Sequence, residues 1–337
     1  MDSDPALTAT IPSNVPSTST GAADARALAA LADDAVLLDP LGQEVVLGRG
    51  ADRIRLLNGV VTANLAGVPP GAGTRALLLT AKAHIVSDMR AFVRSEDVVL
   101  VVAAGQGEAT ASALSRFAIM DDFTATPAPE LELVAVLGPK AADALGAAGI
   151  STVAFDQAPA WSHETAGPWW VARVRQLGTD GYWIAAARAD VDRLRAALAA
   201  RGTARLAASS PTAEAARIAA REPAWGREIT DEYFPMEIGL ADAIDYRKGC
   251  FLGQEPIVRI RDRGHINYRL VALELPAGTQ ATAGDRLESD AKPKAGKITS
   301  ASVLPDGRPV ALAIVHASLP EGTQVRITST LTTAIIR

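Results

Sequence analysis

The alternation of apolar and polar positions along the chain predicts a mixture of helices and strands. AADARALAALADD (22–34) has the apolar spacing of a helix, and VLLDPLGQEVVLG (36–48) indicates two strands joined at residues 40–42. RALLLTAKAHIVSDMRAFVR (75–94) is typical of paired strands, and DVVLVVAA (97–104) of a buried strand. No glycine-rich phosphate loop joins a strand to a helix, so a doubly wound nucleotide-binding fold is not expected.

The middle of the chain repeats the combination of strand and helix. LELVAVLGPKAADALGAAG (131–149) predicts a strand, a turn and a helix. The stretch 169–202 predicts two strands around a turn at 178–181, then a helix capped by Asp190 and stopped by Gly202. Two such units beside a small sheet indicate an α+β fold with split βαβ, ferredoxin-like elements.

The two ends of the chain differ from its middle. Residues 1–21 are rich in Ser, Thr and Pro, which predicts a disordered tail. From Arg269 onward, short strands are broken by PAG, GDR, PDG and PEG, which predicts a small antiparallel barrel or sandwich. A domain boundary is therefore expected near residue 266, with the barrel occupying 266–337.

Composition narrows the functional classes. The formal net charge of −5 argues against a general nucleic-acid binder, because neutralising phosphates requires a basic face. The longest apolar runs are of strand length, so no membrane span is expected. The single cysteine excludes an intramolecular disulfide and every multi-cysteine metal signature, and it favours a reducing, cytoplasmic compartment.

That cysteine lies in KGCFLGQEPIVRIRDRGH (248–265), a polar setting with chemical potential. The charge of Lys248, two residues away, and backbone amides freed by the flanking glycines would stabilise a thiolate at Cys250. The alternative is a small core residue in a strand turn, since free cysteines are often buried. A hydrolase nucleophile has little support, because His265 is the one histidine nearby and forms no known pattern.

The arginines that follow suggest a binding surface. IVRIRDR is expected to be a strand, which places Arg259, Arg261 and Arg263 on one face. That face would either contact an anionic ligand or form an exposed basic stripe.

KGCFLGQE resembles the K-G-C-aromatic-x-G-Q-E signature of the YgfZ family, proteins similar to the glycine-cleavage T-protein. Further segments resemble the same family: GADRIRLLNGVVTAN, LLTAKAHIVSDM, GTDGYWI, ARIAAREPAWGREITDEYFPMEIGL and GKITSASVLPDGRPVALAIV. The resemblance spans roughly residues 30 to 330. Phe251 replaces the commoner tyrosine, which keeps the ring and loses its hydroxyl.

The resemblance implies a three-lobed, T-protein-like ring with tetrahydrofolate in a central channel beside the signature loop. It implies a folate-binding region over residues 22–265, with a middle lobe near 66–204, ahead of the C-terminal barrel. The candidate catalytic residues are Cys250, Lys248 and Asp88, with no metal site. The candidate folate-binding residues are Asp88, Arg259, Gln254, Glu255 and Tyr182, because a pterin stacks on aromatic rings and its anionic tail favours arginine.

Two functions follow from the resemblance. The T-protein transfers an aminomethyl carbon to tetrahydrofolate, but its turn reads Gly-Glu-x-Gly-Phe-Glu, and Thr179 and Trp183 replace both glutamates here. The cysteine, which a transferase does not need, favours an ancillary protein for iron–sulfur cluster assembly or repair over an aminomethyltransferase. We therefore expect a monomeric protein without its own enzymatic reaction, whose partners are iron–sulfur enzymes or assembly proteins bound transiently.

Overall fold

The computed structural model describes residues 18–154 and 157–337. The predicted tail lies outside this part up to residue 17. In the described part the helices are α1 Thr18–Asp33, α2 Arg53–Val60, α3 Gly107–Ser115, α4 Ala141–Ala147, α5 Arg188–Ala200, α6 Pro211–Ala219 and α7 Gln254–Arg263. Helix α1 therefore begins slightly ahead of its predicted start at residue 22.

The strands fall into three groups that follow the chain in an interleaved order. They are β1 Val36–Leu38, β2 Gln43–Arg49, β3 Gly73–Leu79, β4 Ile85–Val93, β5 Asp97–Ala103, β6 Thr124–Pro127, β7 Leu131–Leu137, β8 His163–Ala166, β9 Trp169–Gln176, β10 Thr179–Ala187, β11 Ala204–Leu206, β12 Tyr268–Glu274, β13 Arg286–Ser289, β14 Lys292–Val303, β15 Pro309–His316, β16 Gln324–Ile327 and β17 Thr333–Ile336.

Two open sheets and a barrel result from these strands. One sheet has five strands in the order β3-β4-β5-β2-β6, and the other has six in the order β11-β1-β7-β10-β9-β8. Strands β12 to β17 close into an antiparallel barrel. The predicted α+β class and C-terminal barrel are confirmed. Among the described residues, no helix has the length and apolar character that crossing a membrane requires.

Alternating side chains divide the apolar residues between the faces of the sheets. The inner faces of the two open sheets pack together through residues such as Val99, Phe92 and Trp183, with α1 and α6 at the edge. Helices α2 and α3 cover the outer face of the five-stranded sheet, and α4 and α5 cover that of the six-stranded sheet. A further core joins β3 to the barrel through Phe251 and Ile257.

Most predicted elements are present, with two corrections. Helix α5 is capped at Ala187 and not at Asp190, because β10 runs directly into the helix. Asp190 lies in the first turn and pairs with Arg193. The segment IVRIRDR is part of helix α7 and not a strand.

Candidate functional site

A cavity of about 690 Å³ lies where the inner faces of the two open sheets meet helix α6 and the segment that follows it. This volume is in the range of pockets that hold small organic ligands. Its wall combines tryptophans with charged side chains. The polar and aromatic residues that line it are Gln43, Arg75, Asp88, Arg90, Trp161, Arg175, Gln176, Trp183, Glu214, Arg217, Glu222 and Trp225.

A buried ion cluster forms one wall of the cavity. Asp88, in the middle of β4, accepts hydrogen bonds from Arg75 Nε at 2.8 Å and Nη2 at 2.7 Å, and from Arg90 Nη1 at 2.9 Å. Arg75 and Arg90 lie directly opposite each other on β3 and β4, so Asp88 screens two like charges. Burial raises the pKa of Asp88, but the charges of Arg90 and Arg75 outweigh it, and its pKa lies below the usual value.

Asp88 therefore lines the cavity from the middle of a strand. Its side chain is buried. Both of its oxygens already accept hydrogen bonds from guanidinium groups. Its first effect is consequently to hold Arg75 and Arg90 in place.

Glu222 provides a second carboxyl group in the cavity wall, and its side chain is half-buried. It follows helix α6, and its Oε1 accepts a hydrogen bond from the Gly178 amide in the β9–β10 turn at 3.0 Å. Burial raises the pKa of Glu222 above its usual value, against the lowering effect of backbone amides and of Arg90. Among the described residues, Gln43 Oε1 and Arg90 Nε are buried without a hydrogen-bond partner.

The signature loop lies apart from this cavity. Within the part of the chain that the structure describes, the cavity lining does not include Lys248, Cys250, Gln254, Glu255 or Arg259. The loop instead packs against the end of α2 and the turn between β3 and β4. The structure therefore separates the predicted site residues into two places.

Cys250 is exposed, so the alternative of a small core cysteine is wrong. The ammonium group of Lys248 is held by backbone carbonyl groups. Its Nζ donates hydrogen bonds to the carbonyl oxygens of Val61 at 2.6 Å, Ala63 at 2.9 Å and Asn58. Burial lowers the pKa of Lys248 to about 8. This geometry makes Lys248 an anchor of the loop.

The predicted arginine face is also wrong. On helix α7, successive odd-numbered residues point in different directions, and the side chain of Arg263 lies outside the described part. Arg259 is 72% exposed and forms an i,i+4 pair with Glu255 at 2.8 Å. Gln254 is the half-buried first residue of the helix.

Tyr182 faces away from the cavity. It packs with α4 and α5 on the outer side of the six-stranded sheet, whereas Trp183, the next residue, lines the cavity on the inner side. Neighbouring residues of a strand point to opposite faces of the sheet. The aromatic residue on the cavity side is therefore Trp183, one position after the predicted Tyr182. Trp183 is held by a hydrogen bond from its Nε1 to Gln176 Oε1 at 2.8 Å.

Some of the cavity residues that the prediction missed have a partial signal in the sequence. Arg90 lies two positions after Asp88 on a strand, so alternation places both on one face. Gln43 and Glu222 carry no comparable signal, because one begins a strand after a turn and the other lies in an irregular segment.

Two interleaved sheets around a ligand-sized cavity, followed by a barrel, define a T-protein-like α+β protein. The family model described as GCVT N-terminal domain matches residues 14–248, and the chain belongs to this family. The glycine cleavage system aminomethyltransferase T from Bartonella henselae has a similar structure, with a TM-score of 0.83 and 21% identity over 93% of this chain and 88% of that chain. The T-protein-like fold is thereby confirmed.

The relatives carry more than one name. A putative chloroplastic transferase of Arabidopsis thaliana is 25% identical over 74% of this chain and 58% of its own length. An aminomethyltransferase of Rubrobacter xylanophilus is 28% identical over 83% of this chain and 75% of its own length. A tRNA-modifying protein YgfZ of Aliivibrio fischeri is 32% identical over 30% of this chain and 33% of its own length. The chain thus spans less than two thirds of the Arabidopsis and Aliivibrio proteins. The predicted YgfZ-like and T-protein-like relationship is confirmed.

Proposed function

We propose that this protein binds a reduced folate in the cavity and serves as an ancillary protein for iron–sulfur cluster assembly or repair. The observation that carries the proposal is the exposed Cys250 in a signature loop fixed by Lys248. An anchored loop presents its thiol to a partner without the entropy cost of ordering it first.

The residues of the cavity fit a folate. Trp161 and Trp225 are partly exposed tryptophans of the cavity lining that suit a flat ring, and Gln43 and Arg90 offer buried polar atoms that lack partners. Arg175 lies at the rim with a 63% exposed side chain and would pair with an anionic tail. When bound, the folate would supply a carrier for one-carbon groups.

Cys250 would act together with a partner. Iron–sulfur clusters generally take about four cysteine-type ligands, so a single thiol does not hold one alone. Among the described residues, no group of three or more His, Cys, Asp or Glu side chains is arranged to hold a metal ion. The proposed partners are therefore iron–sulfur enzymes or assembly proteins that contact the loop transiently. A reducing cytoplasmic compartment and a monomer are part of this proposal.

The test replaces Cys250 in cells that lack the protein. Cys250→Ser should leave the unfolding temperature of the purified protein unchanged, because the side chain is exposed. It should nevertheless fail to restore the activity of iron–sulfur enzymes in those cells. Gly249→Ala is the matched control, because an added methyl group there meets no atom within 4 Å, and it should restore activity. Full restoration by Cys250→Ser would refute the role of the thiol.

A second candidate is a folate-dependent aminomethyltransferase. The relative from Rubrobacter xylanophilus with that name aligns over 83% of this chain, which favours it. The cavity argues against it, because both oxygens of Asp88 already accept from arginines and the β9–β10 turn carries Thr179 and Trp183. Assays of glycine cleavage in the same cells separate the two candidates, since a transferase would restore that reaction.

A further inference from the structure

The carboxylates that line the cavity differ in their partners. Within the described lining they are Asp88, Glu214 and Glu222. Asp88 is bound by two guanidinium groups, and both oxygens of Glu214 accept from Arg217, at 2.8 and 2.7 Å. The hydrogen bonds to Glu222 come from backbone amides of the β9–β10 turn. Glu222 is thus the carboxylate best able to accept hydrogen bonds from a ligand.

Two further atoms define what such a ligand must offer. Gln43 Oε1 is a buried acceptor that requires a donor, and Arg90 Nε is a buried donor that requires an acceptor. A buried polar atom without a partner costs free energy, so a ligand that satisfies it gains affinity. Arg90 also lies close enough to Glu222 for their charges to interact.

Trp183 supplies the apolar part of the same wall. Its indole is fixed through Gln176 and makes edge contacts with Phe92 and Trp161, whose ring centroids lie 6.3 and 6.1 Å away. A rigid indole favours a flat ring over a flexible chain.

We propose that Glu222, Gln43 and Arg90 recognise the aminopyrimidinone edge of the folate ring, while the tryptophans of the cavity wall contact its face. That edge carries adjacent N–H donors, which suit a carboxylate, and a carbonyl oxygen, which suits a guanidinium. The acid that selects the ring thus comes from the segment after α6 and not from the β9–β10 turn. This inference rests on the proposed folate binding. The burial that raises the pKa of Glu222 is consistent with a carboxyl group that lacks a cationic hydrogen-bond partner.

The test uses Glu222→Gln, which changes little in shape. The glutamine oxygen still accepts from the Gly178 amide, but the other end becomes a donor that opposes the donors of the ring. Isothermal titration calorimetry would measure the affinity of the protein for three compounds. They are tetrahydrofolate, a tetrahydropterin, which lacks the tail, and aminobenzoylglutamate, which lacks the ring. We expect Glu222→Gln to weaken the affinity for tetrahydrofolate and tetrahydropterin by about tenfold or more. The affinity for aminobenzoylglutamate should be unchanged.

Controls keep the outcomes distinct. Glu164→Gln, on exposed surface of β8, should bind all three compounds like the parent. If Glu222→Gln does not fold, Gln43→Met removes a second contact and should weaken the ring compounds in the same selective way. Parent affinity for tetrahydropterin in the folded Glu222→Gln protein would overturn this inference alone. Absence of tetrahydrofolate binding by the parent would overturn the proposed function as well.

Discussion

His163 is a buried histidine whose two ring nitrogens are both engaged. Trp170 Nε1 donates to its Nδ1 at 3.2 Å, so Nε2 carries the proton and donates to the Val93 carbonyl at 3.0 Å. A second proton would remove the acceptor of Trp170 and place a charge in the core. Burial accordingly lowers the pKa of His163 below its ordinary 6.5.

We expect this histidine to make stability depend on pH. The unfolded chain takes up the proton first as pH falls, because its pKa is higher than that of the folded state. The contribution of His163 to the free energy of unfolding should therefore be complete above pH 6.5. Below pH 6.5 this contribution should decrease, by at most about 1.4 kcal/mol per pH unit. Urea unfolding between neutral and mildly acidic pH would measure this slope.

His163→Gln is the matched variant, because an amide can accept from Trp170 and donate to Val93 without titrating. Its unfolding free energy should vary less with pH than that of the parent. Equal slopes in the two proteins would show that other groups cause the acid sensitivity.

At the scale of single residues, the sequence singles out Asp88 but not its neighbours in the cavity wall. Asp88 is selected through the resemblance of LLTAKAHIVSDM to the family's strand pair, which carries no information on its partners. Tyr182 and Trp183 are both aromatic, and the sequence does not state which sheet face borders the cavity. Glu222 lies far from both along the chain and joins them through the fold alone.

At the scale of elements, helix α7 shows why local patterns compete. Arginines at alternate positions and β-branched neighbours indicate a strand. The start signals indicate a helix, because Gly253 adopts a left-handed conformation at its N-cap and Pro256 lies in the first turn. Burial of Ile257 against the core beside β3 and the Glu255–Arg259 pair then stabilise the helix.

Gly253 should be essential to the placement of the signature loop. Its φ is +79°, and an added Cβ would lie 2.5 Å from the Thr80 carbonyl oxygen in the β3–β4 turn. Gly253→Ala should therefore reduce the free energy of unfolding by about 1–3 kcal/mol, measured by urea denaturation. Gly249→Ala, in the same loop but in open space, should change it by less than about 0.5 kcal/mol. Similar values for the two variants would contradict the proposed close packing.

Because IVRIRDR forms a helix and not the predicted strand, a different arginine is expected to contact the folate tail. Arg175 lies at the cavity rim, where it donates to the Gly178 carbonyl at 2.7 Å, whereas Arg259 is exposed outside the lining. Arg175→Ala should weaken polyglutamylated folate more than the monoglutamate, since each carboxylate offers another partner. Arg259→Ala is the control and should leave both affinities unchanged in titration calorimetry. Selective loss in Arg259→Ala would return the tail site to α7.

At the scale of the whole molecule, the sequence indicates the elements but not their partners. The predicted barrel is present because its strands are consecutive and pair locally. By contrast, β1 pairs in parallel with β11, so Val36 lies opposite Ala204, a residue far away along the chain. Apolar alternation identifies both strands and contains no information on that pairing. The cavity arises from such distant pairings, so its outline was not predictable from local patterns.

A buried polar network joins the barrel to the open sheets. Ser300 on β14 donates from Oγ to Glu228 Oε1 at 2.6 Å and accepts from Arg217 Nη2 at 2.7 Å. Glu228 is fully buried, and Arg217 Nη1 also donates to it at 3.1 Å. Because Arg217 lines the cavity as well, the network connects the cavity wall to the barrel. We therefore expect the parent to unfold in a single transition that includes both parts.

Ser300→Ala tests this connection. It leaves a buried carboxylate and a guanidinium each without one hydrogen-bond partner, which should cost about 1.5–3 kcal/mol of the free energy of unfolding. Ser302→Ala, on the same strand, removes a hydrogen bond to the Pro211 carbonyl at an exposed position and should cost less than about 1 kcal/mol. Calorimetry and urea unfolding would compare the two. If both variants lose equally little free energy of unfolding, the barrel is held by apolar packing against α6. The buried network would then contribute nothing specific to the contact between the barrel and the open sheets.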